Sequence, residues 1–200
     1  MVASQANEAN GTNRTALAVD SYEDLIREQL RMLGHNTKSD GLIETPQRVT
    51  RVHLEHFNCT ENPIADAALH LKPFKSPANP SLVSVRCSFS AFCEHHLLPF
   101  FGTAHVVYLP DEQITGLSKI SRVINELCKR PQIQERITSE TAEVMMRLNP
   151  MGVLVDLVAE HTCMRVRGVR DACSSTRTRI ATGEFKTDSD LRNQAISMLE

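Results

Sequence analysis

Two short clusters of metal-seeking side chains, Cys93-Glu94-His95-His96 and His161-Thr162-Cys163, stand far apart in the chain and constrain its folding more than any other feature. Thiolate and imidazole are the donors that zinc and its neighbours select. A fold that uses both clusters must bring residues 93–96 beside residues 161–163. Read as a strand, residues 161–169 alternate His161, Cys163, Arg165 and Arg167 onto one face and Thr162, Met164 and Val166 onto the other. A face so polar and cationic is costly to bury without partners and is expected to line a cleft. Cys93, His96 and Cys163 leave the fourth position of a tetrahedral zinc open for water, the pattern of a catalytic site. Such a metal lowers the pKa of water to about 7. His95 and His161 stand beside it as candidate acids or bases. A structural zinc would instead need a fourth ligand from Cys87 or Cys173, and in the blandest alternative Cys93 and Cys163 are small buried apolar residues.

The rest of the composition narrows the setting. With 200 residues, 41% hydrophobic and 23% charged, the chain has enough apolar material for one packed domain. A formal net charge of −2 gives no general field for nucleic acid or an anionic membrane, so neither is expected as a partner. No apolar run approaches a membrane span of roughly 20 residues, and the start Met1-Val2-Ala3-Ser4-Gln5 lacks a charged and an apolar leader region, so the expected location is the cytoplasm. Six cysteines spread over the chain do not resemble a disulfide framework, and the Asn-x-Thr matches at Asn10 and Asn13 would matter only in a secreted protein.

Residues 1–18 are expected to be a disordered tail, 19–80 a helical region and 81–200 the catalytic domain. Ser21 with Asp24 resembles a capping box for a first helix that Gly34 stops. Thr45 before Pro46 resembles the cap of a second. Pro73, Pro77 and Pro80 predict a loop over 72–81. Strands are expected at 82–85 and 103–109, separated by the Cys93 segment and a turn at Pro99-Phe100-Phe101-Gly102. Ser118 is placed as the cap of a helix with Ile120, Val123, Ile124 and Leu127 on one face; Ile137, Val144 and Met145 mark the next. Further strands follow at 152–159, 161–169 and 175–182. This order predicts an α+β fold, an antiparallel sheet with helices on one face, preceded by N-terminal helices.

Gly116-Leu117-Ser118-Lys119 followed by Arg122 puts a hydroxyl, backbone N–H groups and two cations at a helix start, which suits a phosphate. Arg167, Arg48 and Arg51 are further candidate phosphate contacts. An acidic chain with several such basic spots is expected to bind a small, highly charged anion. Gln134 and Glu135 could read the donor edge of a heterocycle.

These strings together, with Arg-Pro-Gln-Ile-Gln-Glu-Arg at 130–136, His-Thr-Cys-Met at 161–164 and Glu44-Thr45-Pro46 with Arg48, resemble type I GTP cyclohydrolase over most of the chain beyond residue 20. The resemblance implies zinc-dependent hydrolytic opening of the imidazole ring of GTP. Formate is released and 7,8-dihydroneopterin triphosphate is formed, the entry to folate or tetrahydrobiopterin synthesis. It implies zinc on Cys93, His96 and Cys163, proton donation by His161 with help from His95, and a guanine edge held by Glu135 with Gln134 adjacent. Ser118, Lys119, Arg122, Arg167, Arg48 and Arg51 would meet the triphosphate. It also implies the tunnelling fold and a homodecamer whose active sites lie at subunit contacts. Two alternatives keep the same residues: a non-catalytic GTP- or pterin-binding regulator, or a paralogue opening the ring for a deazapurine-type metabolite. The register of the strand before Cys93 and the roles of Arg165, Arg170, Arg177 and Arg179 stay open.

Overall fold

A computed structural model describes residues 19–57, 60–77 and 81–199; the expected tail at 1–18, Asn10, Asn13, Cys59 and Pro80 lie outside them. The chain divides into two compact units, Met1–Glu55 and His56–Glu200. No helix among the described residues is long and apolar enough to cross a membrane.

In the first unit the chain is helical over residues 19–32 (α1). Ser21 therefore lies inside α1 and does not cap it. Gly34, at φ +85°, ends this segment as the sequence suggests. The second helix, α2, spans Thr45–His56. Its first turn is closed by the Arg48 N–H on the Glu44 carbonyl, while the Thr45 hydroxyl donates back to Gly41, so Thr45 is not the cap. The Tyr22 hydroxyl meets His53 Nδ1 at 2.7 Å and ties α1 to α2.

The second unit is α+β. It begins with α3 (Pro63–Ala68), where the Asn62 side chain accepts from the Ala65 N–H, and with β1 (Pro73–Lys75). The expected loop at 72–81 is thus partly a strand, because residues 73–75 pair with 113–115 of β4 (Gln113–Thr115). The main sheet contains β2 (Val83–Cys93), β3 (Pro99–Leu109), β5 (Pro131–Gln132), β6 (Gly152–His161) and β7 (Thr176–Gly183), in the order β5-β2-β3-β6-β7. β5 joins β2 in parallel and the other neighbours are antiparallel. Between the strands lie α4 (Leu117–Leu127), α5 (Gln134–Met146) and a short α6 (Thr162–Arg165); α7 (Glu184–Thr187) and α8 (Ser189–Ser197) close the chain.

Alternation along the strands builds the core. Phe89, Ala91 and Cys93 of β2, Phe100, Ala104, Val106 and Tyr108 of β3, and Val153, Val155 and Leu157 of β6 are buried together. They pack against Ile120, Val123, Ile124 and Leu127 of α4 and Ile137, Val144 and Met145 of α5. The opposite face is not bare, contrary to the expectation of helices on one side only. Val107 and Leu154 are covered there by Phe185, Ala195 and Leu199 from the C-terminal helical segment.

Two strand boundaries differ from expectation. β2 does not stop near Val85 but pairs without a break from Val83↔Tyr108 to Phe92↔Pro99, which settles its register and extends it to Cys93. Pro99-Phe100-Phe101-Gly102 is consequently strand, and the reversal falls at residues 94–98. Gly102 is needed for a close approach, not for a turn: a Cβ there would lie 1.9 Å from the Val158 carbonyl oxygen and 2.7 Å from Ala159 Cα. β6 ends at His161, where its last partner on β3 is Phe100, and residues 162–165 turn into α6. The next residue of β3 is Pro99, which has no N–H to extend the ladder, and the Thr162 hydroxyl donates to the Pro99 carbonyl instead.

On the face away from α4 and α5, register aligns Arg86, His105, Asp156 and Arg179 in one row across four strands. Asp156 is 0% exposed and accepts from Arg177 Nε at 3.0 Å and from Arg179 Nε at 2.7 Å. A carboxylate buried this deeply requires such partners. Two of the unassigned arginines therefore serve the sheet.

Gly102→Ala is expected to lower stability by about 1–3 kcal/mol, because rigid backbone on β6 must yield to the new methyl. Chemical denaturation compared with the parent chain measures this, and an unchanged midpoint would contradict the close approach.

Candidate functional site

The hairpin between β2 and β3 carries the first cluster. Cys93 is the last residue of β2; its N–H bonds to the Leu98 carbonyl at 2.9 Å, and its own carbonyl accepts from Leu97 at 2.8 Å. Leu97 sits in the left-handed region at φ +52°, a conformation costing a non-glycine residue roughly 1–2 kcal/mol. This tight reversal turns His96 back so that its Nδ1 lies 3.8 Å from Cys93 Sγ. The first turn of α6 brings Cys163 to the same place, and the ligating atoms of Cys93, His96 and Cys163 all lie within 4.8 Å of one another. The clusters do converge, through a helical turn and not through the expected strand alternation. Arg165 accordingly leaves the face on which alternation would set it and pairs with Glu160.

Burial and neighbouring groups set the charge states here. Burial, and then the neighbouring Cys93, push the Cys163 thiol up, so two adjacent thiols resist ionising together. Desolvation first, followed by the Arg167 and His95 charges, pulls His96 down towards the neutral imidazole that a metal requires. Two thiols and a neutral imidazole with one side open fit a divalent borderline metal. The other cysteines among the described residues do not join the group. Cys128 is buried at the end of α4 and its thiol is pushed up to about 12 by burial. Cys87, on β2, is likewise raised by burial, against a hydrogen bond with Ser121. Cys173 is exposed and its N–H donates to Asp171.

Beside the cluster opens a cleft of about 220 Å³ lined by His95, Gln134, Glu135, His161 and Met164 together with the two cysteines. His161, half-buried at the end of β6, stacks on Phe100 with ring centroids 4.5 Å apart and planes 7° from parallel. Burial lowers its pKa, opposed by the Glu135 carboxylate. Gln134 is 1% exposed: its Oε1 meets His161 Nε2 at 2.9 Å while its Nε2 reaches the Leu157 and Thr176 carbonyls. It lines the cleft, as the expected place beside a heterocycle requires, with its amide also engaged within the chain. Glu135 is exposed at the first turn of α5 and free to accept from a ligand. Arg167 contacts His96 Nε2.

Ser118, Lys119 and Arg122 do not line this cleft. They stand on the first turns of α4, which follows β4 and the Leu109 end of β3; the cluster lies at the Pro99 end. Ser121, one turn further along α4, hydrogen-bonds Cys87, which precedes Cys93 by six residues on β2, so this helix start stands roughly 20 Å along the strand from the cluster. α4 also begins at Gly116 with no side-chain cap, so the Ser118 hydroxyl is not its cap and is exposed. Arg48 and Arg51 belong to the first unit, on α2, where Arg48 pairs with Glu44.

Sequence reasoning missed the clamp that fixes the metal turn. The Glu94 N–H donates to the Gln132 carbonyl at 3.0 Å, and Arg136 donates to the Glu94 carboxylate at 2.7 Å and to Gln132 Oε1 at 3.3 Å. Gln132, 0% exposed, donates to Leu127 O and to Glu140, which also pairs with Arg130. The start of α5 and the metal turn are thereby tied together. The only advance signal was the density of polar residues in the 130–136 string.

A family model described as GTP cyclohydrolase I matches residues 22–200. A GTP cyclohydrolase 1 from Listeria welshimeri is 42% identical over 180 residues, covering 88% of this chain and 94% of the relative. One from Clostridioides difficile is 44% identical over 184 residues (90% and 95%), and one from Caldanaerobacter subterraneus is 41% identical over 183 residues (90% and 96%). Among solved structures, an archaeosine synthase QueF-like protein in the apo form aligns with a TM-score of 0.45 and 15% identity, over 53% of this chain and 97% of that one.

Arg136→Ala separates the clamp from overall stability. The Arg136–Glu94 pair is about one-third exposed on each side, so its loss is expected to cost no more than about 1 kcal/mol in a denaturation midpoint. Release of bound metal to a chelator should nevertheless quicken by roughly tenfold, because the turn holding Cys93 and His96 is loosened. Unaltered release kinetics would show that the turn holds its shape unaided.

Proposed function

Because the chain belongs to the GTP cyclohydrolase I family, we propose that it opens the imidazole ring of GTP hydrolytically, releases formate and forms 7,8-dihydroneopterin triphosphate, the entry to folate or tetrahydrobiopterin synthesis. The observation that carries this reading is the convergence of Cys93, His96 and Cys163 beside a cleft that also holds His161 and Glu135. A purely structural metal site has no need of an acid–base histidine and an open carboxylate next to it.

Zinc is the metal that two thiolates and one imidazole suit best, and when bound it supplies Lewis-acid activation of water near neutral pH. The chain's own residues do the rest. Glu135, at the mouth of the cleft, accepts hydrogen bonds from the N–H edge of guanine and fixes the purine's orientation. His161, pressed flat against Phe100, moves a proton to the imidazole-ring nitrogen as the ring opens, with His95 assisting from the exposed side of the turn. Arg167 meets the triphosphate close to the metal turn.

Ser118, Lys119, Arg122, Arg48 and Arg51 complete the phosphate contacts. The separation of Ser118, Lys119 and Arg122 from the cluster along β2 supports a site assembled from more than one subunit, as in a homodecamer of tunnelling-fold domains. Within this reading residues 19–80 are the N-terminal helical region, 81–200 the tunnelling-fold domain, and the enzyme works in the cytoplasm.

Zinc-loaded protein is expected to release formate from GTP and to give a pterin that fluoresces after oxidation. Cys163→Ser should lose both the zinc, measured by elemental analysis, and the turnover. Zinc-replete protein that binds GTP without releasing formate would instead establish a binding regulator, and turnover without rescue of a folate auxotroph would point to another pathway.

A further inference from the structure

The nitrogen atoms of His161 are not equivalent, and the reason lies in the amide behind them. The Nε2 of Gln134 is 3.1 Å from the Leu157 carbonyl, 3.1 Å from the Thr176 carbonyl and 3.1 Å from Thr178 Oγ1. Two of these three atoms are backbone oxygens, which only accept. Turning the amide over would press its oxygen against both of them, so the strands β6 and β7 decide which end is nitrogen. The surroundings are themselves pinned: Thr138 Oγ1 donates to the Gln134 carbonyl at 2.9 Å and meets Thr178 Oγ1 at 2.6 Å. Gln134 Oε1, an acceptor without a hydrogen of its own, is left facing His161 Nε2 at 2.9 Å.

Building on the cyclohydrolase reading, we propose that Gln134 is a positioning residue: it fixes the ring of His161 through a hydrogen on Nε2, which leaves Nδ1 as the nitrogen available to the purine. An amide oxygen bonds Nε2 only while that nitrogen is protonated, in the neutral and the cationic ring alike. In both states the Nε2 hydrogen points at Gln134. Stacking on Phe100 holds the plane of the ring, and the Gln134 bond prevents rotation within that plane. Gln134 has no amide hydrogen left for guanine, because three acceptors already share its two.

The assignment is tested without turnover in metal-loaded wild-type protein carrying 15N-labelled histidine rings, with His161 identified by the signals missing from His161→Asn. Expected is a directly protonated Nε2 and, in the neutral ring, an unprotonated Nδ1; a proton on Nδ1 alone, or averaging between the two tautomers, overturns the proposal. Gln134→Met, of similar length and without the acceptor, is then expected to lower kcat for formate release by roughly 10- to 100-fold, within the range that a well-placed acid or base contributes. KM for GTP, zinc content and the thermal midpoint should stay close to wild type. A raised KM with kcat intact would make Gln134 a substrate contact and overturn the positioning role. Failure of wild-type protein to release any formate would instead remove the underlying reading, which the labelled-histidine result does not depend on.

Discussion

β3 is hydrogen-bonded to β2 from Val83↔Tyr108 to Phe92↔Pro99 and to β6 from Phe100↔His161 to Leu109↔Gly152, and the candidate site follows from that double pairing. Because the two registers meet at Pro99 and Phe100, the end of β2 and the end of β6 arrive at the same edge of the sheet. Cys93 and His161 are the residues at those ends. The proline that stops the β3–β6 ladder is what releases residues 162–165 into α6 and swings Cys163 over the hairpin. Close contact of Gly102 with the backbone of β6 is part of the same junction.

Helix α5 is the second element on which the site depends. Its first residue, Gln134, reaches back to β6 and β7, its second, Glu135, faces the cleft, and Arg136 grips the metal turn through Glu94. Three consecutive side chains thus point to three different partners, which a helix start permits because successive residues are about 100° apart. Metal turn, acid–base histidine and heterocycle contact are coupled through a single turn of helix. Buried polar groups of this kind stay in place only when each is satisfied, and Gln132, Gln134 and Glu140 all are.

The site's chemistry was more legible than its geometry. Cys93, His96 and Cys163 could be picked out because few folds have a use for thiols and imidazoles at such spacing outside a metal site. The strand alternation invoked to join His161, Cys163 and Arg167 was not the mechanism, since nothing in residues 161–169 discloses that β3 has no partner to offer beyond Phe100. Strand β2 was truncated at Val85 for a related reason: Ser88 and Ser90 weaken its β character locally, and only the eleven-residue partner strand makes it continuous. Arg177 and Arg179 were opaque because their partner, Asp156, reveals its burial only when β6 lies between β3 and β7.

By itself, then, the amino-acid sequence determined the donor set, the alternation that builds the apolar core, the helical faces of α4 and α5, and the family to which the chain belongs, because each of these is written in residue type and short-range period. Tertiary structure alone decided which end of each strand meets which, that Cys163 is presented from a helical turn, and that the Gln134 amide meets His161. It also set the start of α4, with Ser118, Lys119 and Arg122, beside the middle of β2 and not beside the metal-ligating cluster. Those outcomes depend on strand register and on where a ladder runs out of hydrogen-bond partners, and both are properties of segments distant in the chain.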